Sequence, residues 1–357
     1  MIFLQLPIRI FLGIIIVFFV PLQPIFSQIG GIATFEFVNL PVNARLVGLG
    51  GINVSSSDKD VSMFSINPAL LTDSVDHFLA FNHYSYNAGV NNNQLNYARK
   101  ISEKGMWGIA LQQLSYGEFD SYDLTGQYLG TFNANDFSLG ITHSRKIGVF
   151  SLGGTVKFVQ SNIETYQASG LLFTLGGAFI HPEQDLKIGL VLQHFGFALS
   201  QYVDNQDYVM PFDARIGISY KPQKMPLRLS VTAHHLTEFL SIAYDNPNTP
   251  NELDAFGEEI DDEISFADKL SRHFVFGGEF VFSRNFNIRV AYNFLQRREL
   301  QVKQRKGLSG FSYGFMLRIK RFELAYSRAI QHISGGTNLF SLAIDTHRLI
   351  KKRRTIE

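Results

Sequence analysis

The chain has no cysteine. That excludes disulfides, thiol nucleophiles, thiolate metal sites and a lipid anchor on cysteine. Net charge is also small, +1 from 32 Lys+Arg against 31 Asp+Glu, so the basic footprint of a nucleic-acid binder is missing and no nucleic acid is expected as a partner. Long apolar runs are scarce as well. Mean hydropathy is close to zero, and the one sustained run is Ile10 to Val20. As a helix it rises about 16 Å, well short of a bilayer core of about 30 Å, which excludes a helical membrane protein. With Arg9 before it, Pro21 and Pro24 after it and the small Ser27 beyond, residues 1–27 read as a secretory signal peptide cut after Ser27.

What the chain does have is alternation. From about His77 to Ile344, segments of roughly ten residues place apolar side chains at every second position. Phe322, Leu324 and Tyr326 point one way, Glu323, Ala325 and Ser327 the other, as successive side chains of a strand must. About fourteen such segments can be counted. Nine to eleven tilted residues cross an outer membrane, and an even strand count leaves both chain ends on one side. The expected fold is all-β: a transmembrane antiparallel β-barrel over residues 77–346.

The connectors support this. Those at 101–105, 146–148, 182–185, 222–226, 283–285 and 320–321 are short, whereas 117–133, 196–213, 236–272 and 295–310 are long. Bacterial barrels have short periplasmic turns and long outer loops, so both termini are expected in the periplasm. The lipid-like rows include Trp107, Ile109 and Leu111; Phe137, Leu139 and Ile141; Tyr313, Phe315 and Leu317. The opposite rows carry Lys157, Lys187, Gln193, Arg228, Thr232, Glu279, Arg289, Asn293, Arg318 and Glu323, charges that suit a lumen and not hydrocarbon. Tyr84, Tyr97, Trp107, Tyr116, Tyr220 and Tyr326 fall near strand ends, where amphipathic rings suit the headgroup level. Residues 28–76, rich in Gly, Ser, Asn and Asp, do not alternate and read as a plug or hatch near the periplasmic end of the lumen, or as an irregular periplasmic extension.

Chemistry-bearing patterns are sparse. His234 and His235 are adjacent on an expected strand and so face opposite sides. His235 and Glu238 have helical ligand spacing, but the stretch reads as a strand entering a loop. Ser138 and His143 lie on one strand with opposite parity, which breaks a hydrolase pair. Gly48, Gly50 and Gly51 lack the strand, helix and lysine of a phosphate loop and read as bends. No catalytic residue, metal site or cofactor is expected. The sharpest anomaly is the acidic loop at 245–263, with Glu252, Asp254, Glu258, Glu259, Asp261, Asp262 and Glu263 and no Lys or Arg. It reads as a solvated outer loop held extended by self-repulsion, as a docking surface for a basic partner, or as a divalent-cation site near lipopolysaccharide. Residues 347–357 form a basic tail with Arg348, Lys351, Lys352, Arg353 and Arg354, periplasmic by strand parity.

The plug segment also carries a resemblance. Leu40-Pro41-Val42-Asn43-Ala44-Arg45, then Gly48-Leu49-Gly50-Gly51, then Asn67-Pro68-Ala69-Leu70-Leu71 resembles the start of the PorQ/PorV proteins, FadL-like fourteen-stranded barrels of the type IX secretion system. The wording is closer to the PorQ branch. The resemblance implies a non-enzymatic role: holding a PorZ-like surface protein near PorU-like and PorV-like components while cargo is matured and joined to anionic lipopolysaccharide. Ala44, Arg45, Gly48, Gly50, Gly51, Asn67, Pro68 and Ala69 match its motif and are expected to be structural. Two other functions remain open from the residues alone. One is a FadL-like transporter of hydrophobic small molecules, which the charged inward rows disfavour. The other is an outer-membrane esterase.

Overall fold

The computed structural model describes residues 33–347 apart from 57, 87–88, 103–104, 204–207, 239–264, 301–306 and 333–334. The strands are β1 (Phe78–Ser85), β2 (Asn91–Ser102), β3 (Gly105–Tyr122), β4 (Tyr128–Ile147) and β5 (Phe150–Ile163). They continue as β6 (Tyr166–Ile180), β7 (Asp185–Ser200), β8 (Asp213–Lys221), β9 (Leu227–Ala233) and β10 (Phe274–Val281). The last four are β11 (Phe286–Asn293), β12 (Phe311–Ile319), β13 (Phe322–His332) and β14 (Gly335–Asp345). Each pairs antiparallel with its sequence neighbours, and β1 closes on β14 from Phe78↔Asp345 to Ser85↔Asn338, giving a closed barrel. Closure is what hydrocarbon demands, because a sheet edge there would leave backbone donors and acceptors unpaired. Among the described residues no helix is long and apolar enough to cross a membrane.

The two-residue period sorts the side chains. On β12, Phe311, Tyr313, Phe315 and Leu317 are exposed while Ser312, Gly314 and Met316 are buried. Trp107, Ile109, Phe137, Ile141, Ile188, Phe276, Ile288 and Val290 likewise stand exposed on the outer wall. Lys157, Gln193, Arg228, Thr232, Glu279, Arg289 and Asn293 are buried inside. The aromatic expectation fails at two positions. Tyr84 shares the inward parity of Ala80 and Asn82 and meets Thr337 Oγ1 at 2.7 Å. Tyr116 donates to Asp136 Oδ2 at 2.7 Å. Both hydroxyls have partners in the lumen, so neither ring belongs to a girdle.

The wall is uneven in height. β3 and β4 have 18 and 20 residues, whereas β9 has 7. Most of the loop expected at 117–133 is therefore strand. The hairpin turns at Asp123, whose carboxylate accepts from Thr125 N and Gln127 N, both at 2.8 Å. Below the turn Phe119 stacks on Phe132 across the strands at 5.4 Å. Such cross-strand aromatic pairs stabilise a hairpin without lipid or core behind it.

Among the described residues no strand forms between 33 and 77. The chain makes 3-10 turns at Glu36–Asn39, Val61–Ser65, Pro68–Leu70 and Asp73–Val75 and one short helix, α1 (Ala44–Gly48). This segment is the plug, and it extends further than the short-turn end. Phe35 and Phe37 pack with Leu114, Val159 and Leu172 in the long-loop half of the lumen. Asp76, at the other extreme, accepts from Lys100 N at 2.8 Å beside a short turn.

A charge on the lipid face should discriminate this fold from a soluble sandwich. Val156 is exposed midway along β5, so Val156→Arg is expected to destabilise the vesicle-refolded barrel by about 2–4 kcal/mol. Urea titration measures it; an unchanged midpoint would place β5 outside hydrocarbon.

Candidate functional site

The lumen and its plug form the one densely built polar site among the described residues. Short polar side chains shape the plug. Asn43 Oδ1 accepts from Leu46 N at 2.7 Å and caps α1. Asn67 Oδ1 accepts from Ala69 N at 3.0 Å, opening the Pro68–Leu70 turn, while its Nδ2 donates to Val54 O at 2.8 Å. Pro at the first position of such a turn loses no hydrogen bond, since that N–H would be unpaired anyway. Gly50 and Gly51 take φ of +91° and +84°, where a side chain is strained. Gly48 lies against the wall: a Cβ there would sit 2.9 Å from Ser327 Oγ. Ala44 is fully buried, with its N–H donating to Ser341 Oγ at 2.9 Å and its carbonyl accepting from Ser327 Oγ.

Arg45 leads to the centre of the site. Its Nη2 donates to Glu279 Oε2 at 2.8 Å, to Ser56 Oγ at 3.0 Å and to Asp58 Oδ2 at 3.3 Å. Glu279, on β10, also accepts from Arg289 Nε at 2.9 Å and from Arg228 Nη1 at 2.6 Å. Arg228 pairs with Asp58 and, at 2.8 Å, with Asp185, and Lys187 Nζ donates to Asp58 Oδ1 at 3.2 Å. Four cations thus meet three carboxylates across five elements of the fold. Two of the groups, Arg45 and Asp58, belong to the plug; the other five belong to the wall. The cluster ties plug to barrel at the short-turn end. Asp60, on the plug, has its carboxyl pushed up to about 6, first by burial and then by the Glu323 charge, against the pull of Arg45 and Arg289.

The wall makes room for the plug through missing side chains. A Cβ on Gly176 would lie 2.1 Å from Asn67 Oδ1, and one on Gly189 would lie 2.0 Å from Val54 O. Neither glycine stood out in the sequence, and neither did the Arg45–Glu279 contact. The inward charges of β9, β10 and β11 were legible as lumen residues. Their plug partners lie far away along the chain, so no local pattern signalled them.

Histidines need one correction. β9 ends at Ala233, and His235 takes φ +52°, so His234 and His235 do not diverge across a strand. Their ring centroids lie 4.7 Å apart and their Nδ1 atoms are in hydrogen-bond contact. Glu238 N donates to His235 O at 3.1 Å within a tight turn. Among the described residues no group of three His, Cys, Asp or Glu is placed to hold a metal. Ser138 is buried in the lumen, while His143 packs on the outward Trp107 at 4.7 Å. The acidic candidates Glu252, Asp254, Glu258, Glu259, Asp261, Asp262 and Glu263 lie outside the described residues, as do residues 1–32 and 348–357.

No protein-family model matches the chain, and no curated protein matches it. Solved structures do. The toluene transporter TbuX of Ralstonia pickettii superposes at TM-score 0.51 with 11% identity, over 86% of this chain and 98% of that one. The toluene transporter TodX of Pseudomonas putida gives 0.50 and 11% over 85% and 96%. A FadL homologue of Pseudomonas aeruginosa gives 0.46 and 13% over 86% and 98%. The chain is a closed fourteen-stranded β-barrel with an apolar outer wall and a plugged lumen. Its fold is that of the TbuX and TodX barrels.

Two variants test the plug lock. Glu279→Gln leaves three guanidinium groups without their shared carboxylate, and breaking a buried pair from one side typically costs about 3–5 kcal/mol. The expected result is protease cleavage within residues 33–76 while the barrel stays folded; cleavage unchanged from wild type would remove Glu279 from the lock. Asp60 acts in the opposite sense. Its folded pKa, about 6, exceeds the ordinary 3.8, so its stabilising effect is complete below about 3.8 and is lost as pH rises through about 6. Asp60→Asn should remove that slope from the variant, so that the difference between variant and wild type grows in the variant's favour as pH rises from about 3.8 through about 6, and should leave the plug at least as protected at pH 7.5.

Proposed function

We propose that the chain is a non-enzymatic outer-membrane component of the type IX secretion system, of the PorQ/PorV kind. In this reading it anchors a PorZ-like surface protein, beside PorU-like and PorV-like components, in the complex that matures cargo and links it to anionic lipopolysaccharide. The observation that carries the reading is the occupation of the lumen by residues 33–76, fastened through Arg45 and Asp58 to Glu279 and Arg228. A barrel filled in this way offers partners its outer surface. The motif residues from Ala44 to Ala69 that carry the family resemblance build that plug. The acidic loop at 245–263 is the assigned docking element, through Glu252, Asp254, Glu258, Glu259, Asp261, Asp262 and Glu263.

A second reading, a channel for hydrophobic small molecules, has the solved-structure comparisons on its side, since two of the structures that share the fold are toluene transporters. It also has a local feature in its favour. In the long-loop half the plug's side chains make an apolar cluster, with Phe35, Phe37 and Val38 against Val159, Ala168 and Leu172 and with Tyr202 and Met210 alongside. Its polar ties there are hydrogen bonds such as Gln112 Nε2 to Phe37 O at 3.2 Å and Thr34 N to Val209 O at 2.8 Å, with no ion pair to the plug in that half among the described residues. An apolar solute would find similar chemistry there if those side chains moved aside.

One pair of experiments separates the two. Pull-down of the native barrel from detergent-solubilised outer membrane is expected to recover a large surface β-protein and a sortase-like protease, and deletion of 251–263 to release the surface partner with the barrel intact. Retention after all the long loops are replaced would overturn the platform reading. Uptake of labelled toluene or fatty acid by liposomes holding the purified barrel would establish the channel instead.

A further inference from the structure

The lipid-facing wall is not uniform around the barrel. On β1 to β6 one register row, Phe81–Leu95–Leu111–Leu139–Phe158–Leu171, is apolar throughout. The next row toward the long loops, two residues on along each strand, reads His83–Asn93–Gln113–Phe137–Gln160–Ser169. One step further it becomes Ser85–Asn91–Ser115–Asn135–Asn162–Gln167. The surface passes from hydrocarbon-like to carboxamide within two residues. At the same height on the opposite wall the groups are aromatic: Tyr292 packs on Phe294 and Phe311 at 4.7 and 4.8 Å. The polar row continues past Ser85 to Asn338 on β14 and Arg328 on β13, so the carboxamides form a patch that the aromatic stretch at Tyr292 and Phe311 does not share.

The patch borders a groove of about 460 Å³, with Phe81, Leu95, Leu111 and Phe137 on its apolar side and Asn93, Gln113, Asn135 and Asn162 on its polar side. Its volume lies within the roughly 300–1,000 Å³ typical of small-molecule sites. Some of the amides are engaged: Asn93 Oδ1 meets His83 Nδ1 at 2.8 Å, and Gln160 donates to Asn162 Oδ1 at 3.2 Å. Among the described residues the carboxamides of Gln113 and Asn135 have no hydrogen-bond partner, although they stand where the hydrocarbon ends. The lining contains no Lys or Arg. Its one carboxylate, Asp136, is turned to the lumen and held there by Tyr116 and Ser161.

We infer that this groove binds an acylated sugar lipid of the outer leaflet. One acyl chain lies along Phe81, Leu95 and Leu111, and the sugar hydroxyls exchange hydrogen bonds with Gln113, Asn135 and Asn93. Carboxamides both donate and accept, which matches hydroxyl groups. A phosphate headgroup would instead call for Arg or Lys. Inside a bilayer the apolar side cannot select a ligand, because lipid tails are as apolar as leucine; selection rests on the amides. The inference holds under either reading of the function.

The test uses the full-length barrel in a sugar-free detergent, with native mass spectrometry of bound lipid. The probes are a glucosyl diacylglycerol and a phosphatidylethanolamine with the same chains, at equal concentration. Wild type is expected to retain the glucosyl lipid at least tenfold over the phospholipid. The triple variant Asn93→Leu, Gln113→Leu, Asn135→Leu is expected to lose that preference with phospholipid retention unchanged, its folding confirmed by a heat-dependent gel shift. Should the triple variant fail to fold, Gln113→Leu alone is read out in the same way, with a loss of about threefold expected. Equal retention of the two lipids by wild type, or undiminished preference in a folded variant, would overturn the inference.

Discussion

Everything in this molecule follows from one constraint: at membrane depth each backbone N–H and C=O must be paired within the protein. Strands satisfy it only by closing, and here β1 and β14 complete the ring. Closure has a second effect. Interiors of about eight strands are filled by their own side chains, whereas 16–18 strands leave an aqueous channel. Fourteen strands lie between, and the space they enclose is taken up by residues 33–76. The filler must obey the same rule. It lies inside without joining the sheet, so its backbone groups need other partners. Asn43, Asn53, Asp60 and Asn67 supply them, each accepting from a main-chain N–H two or three residues ahead. A segment rich in Asn, Asp and Ser is thus the physical answer to filling a barrel with irregular chain.

The ion cluster answers a different problem, that of position. Apolar packing is non-directional and would tolerate several placements of a short plug. Arg45 reaching Glu279 while Asp58 reaches Arg228 and Lys187 admits few. A buried salt bridge is weak evidence for stability, since desolvation opposes the Coulomb gain; fixing a register is its better-attested use. The wall glycines point the same way. Gly176 and Gly189 accept the Asn67 and Val54 surfaces at distances no Cβ would permit, so barrel and plug are shaped to each other at these points.

The barrel was legible in the sequence because its signal is repeated. Alternation recurs in every strand, and connector length adds an independent parity, so errors at single residues cancel. Where the signal is single, it failed. Tyr84 and Tyr116 look like interface aromatics by position along the strand, yet parity sends them inward. His234 and His235 follow from the strand pattern only if the strand continues, and it stops one residue earlier. The β3–β4 hairpin ran past its expected end because Gly117 and Gly130 read as loop residues; both take positive φ near register shifts of the continuing ladder. The plug lock was illegible for a plainer reason. Arg45 and Glu279 are 234 residues apart, and nothing in either neighbourhood refers to the other.

The two ends of the plug now bear on function differently. At the short-turn end seven charged groups must rearrange together for it to move, and each would need a new partner or water. At the long-loop end the rings of Phe35 and Phe37 make apolar contacts and the Phe37 carbonyl accepts from Gln112; an apolar solute could replace the ring contacts without leaving a charge behind. A channel needs the second end to yield and also a path past the first. A platform needs neither, only that the lock hold while the loops work. The fold is compatible with both because fold does not carry function. What separates them is whether the Glu279 cluster ever opens, which makes the ions, more than the barrel around them, the deciding element.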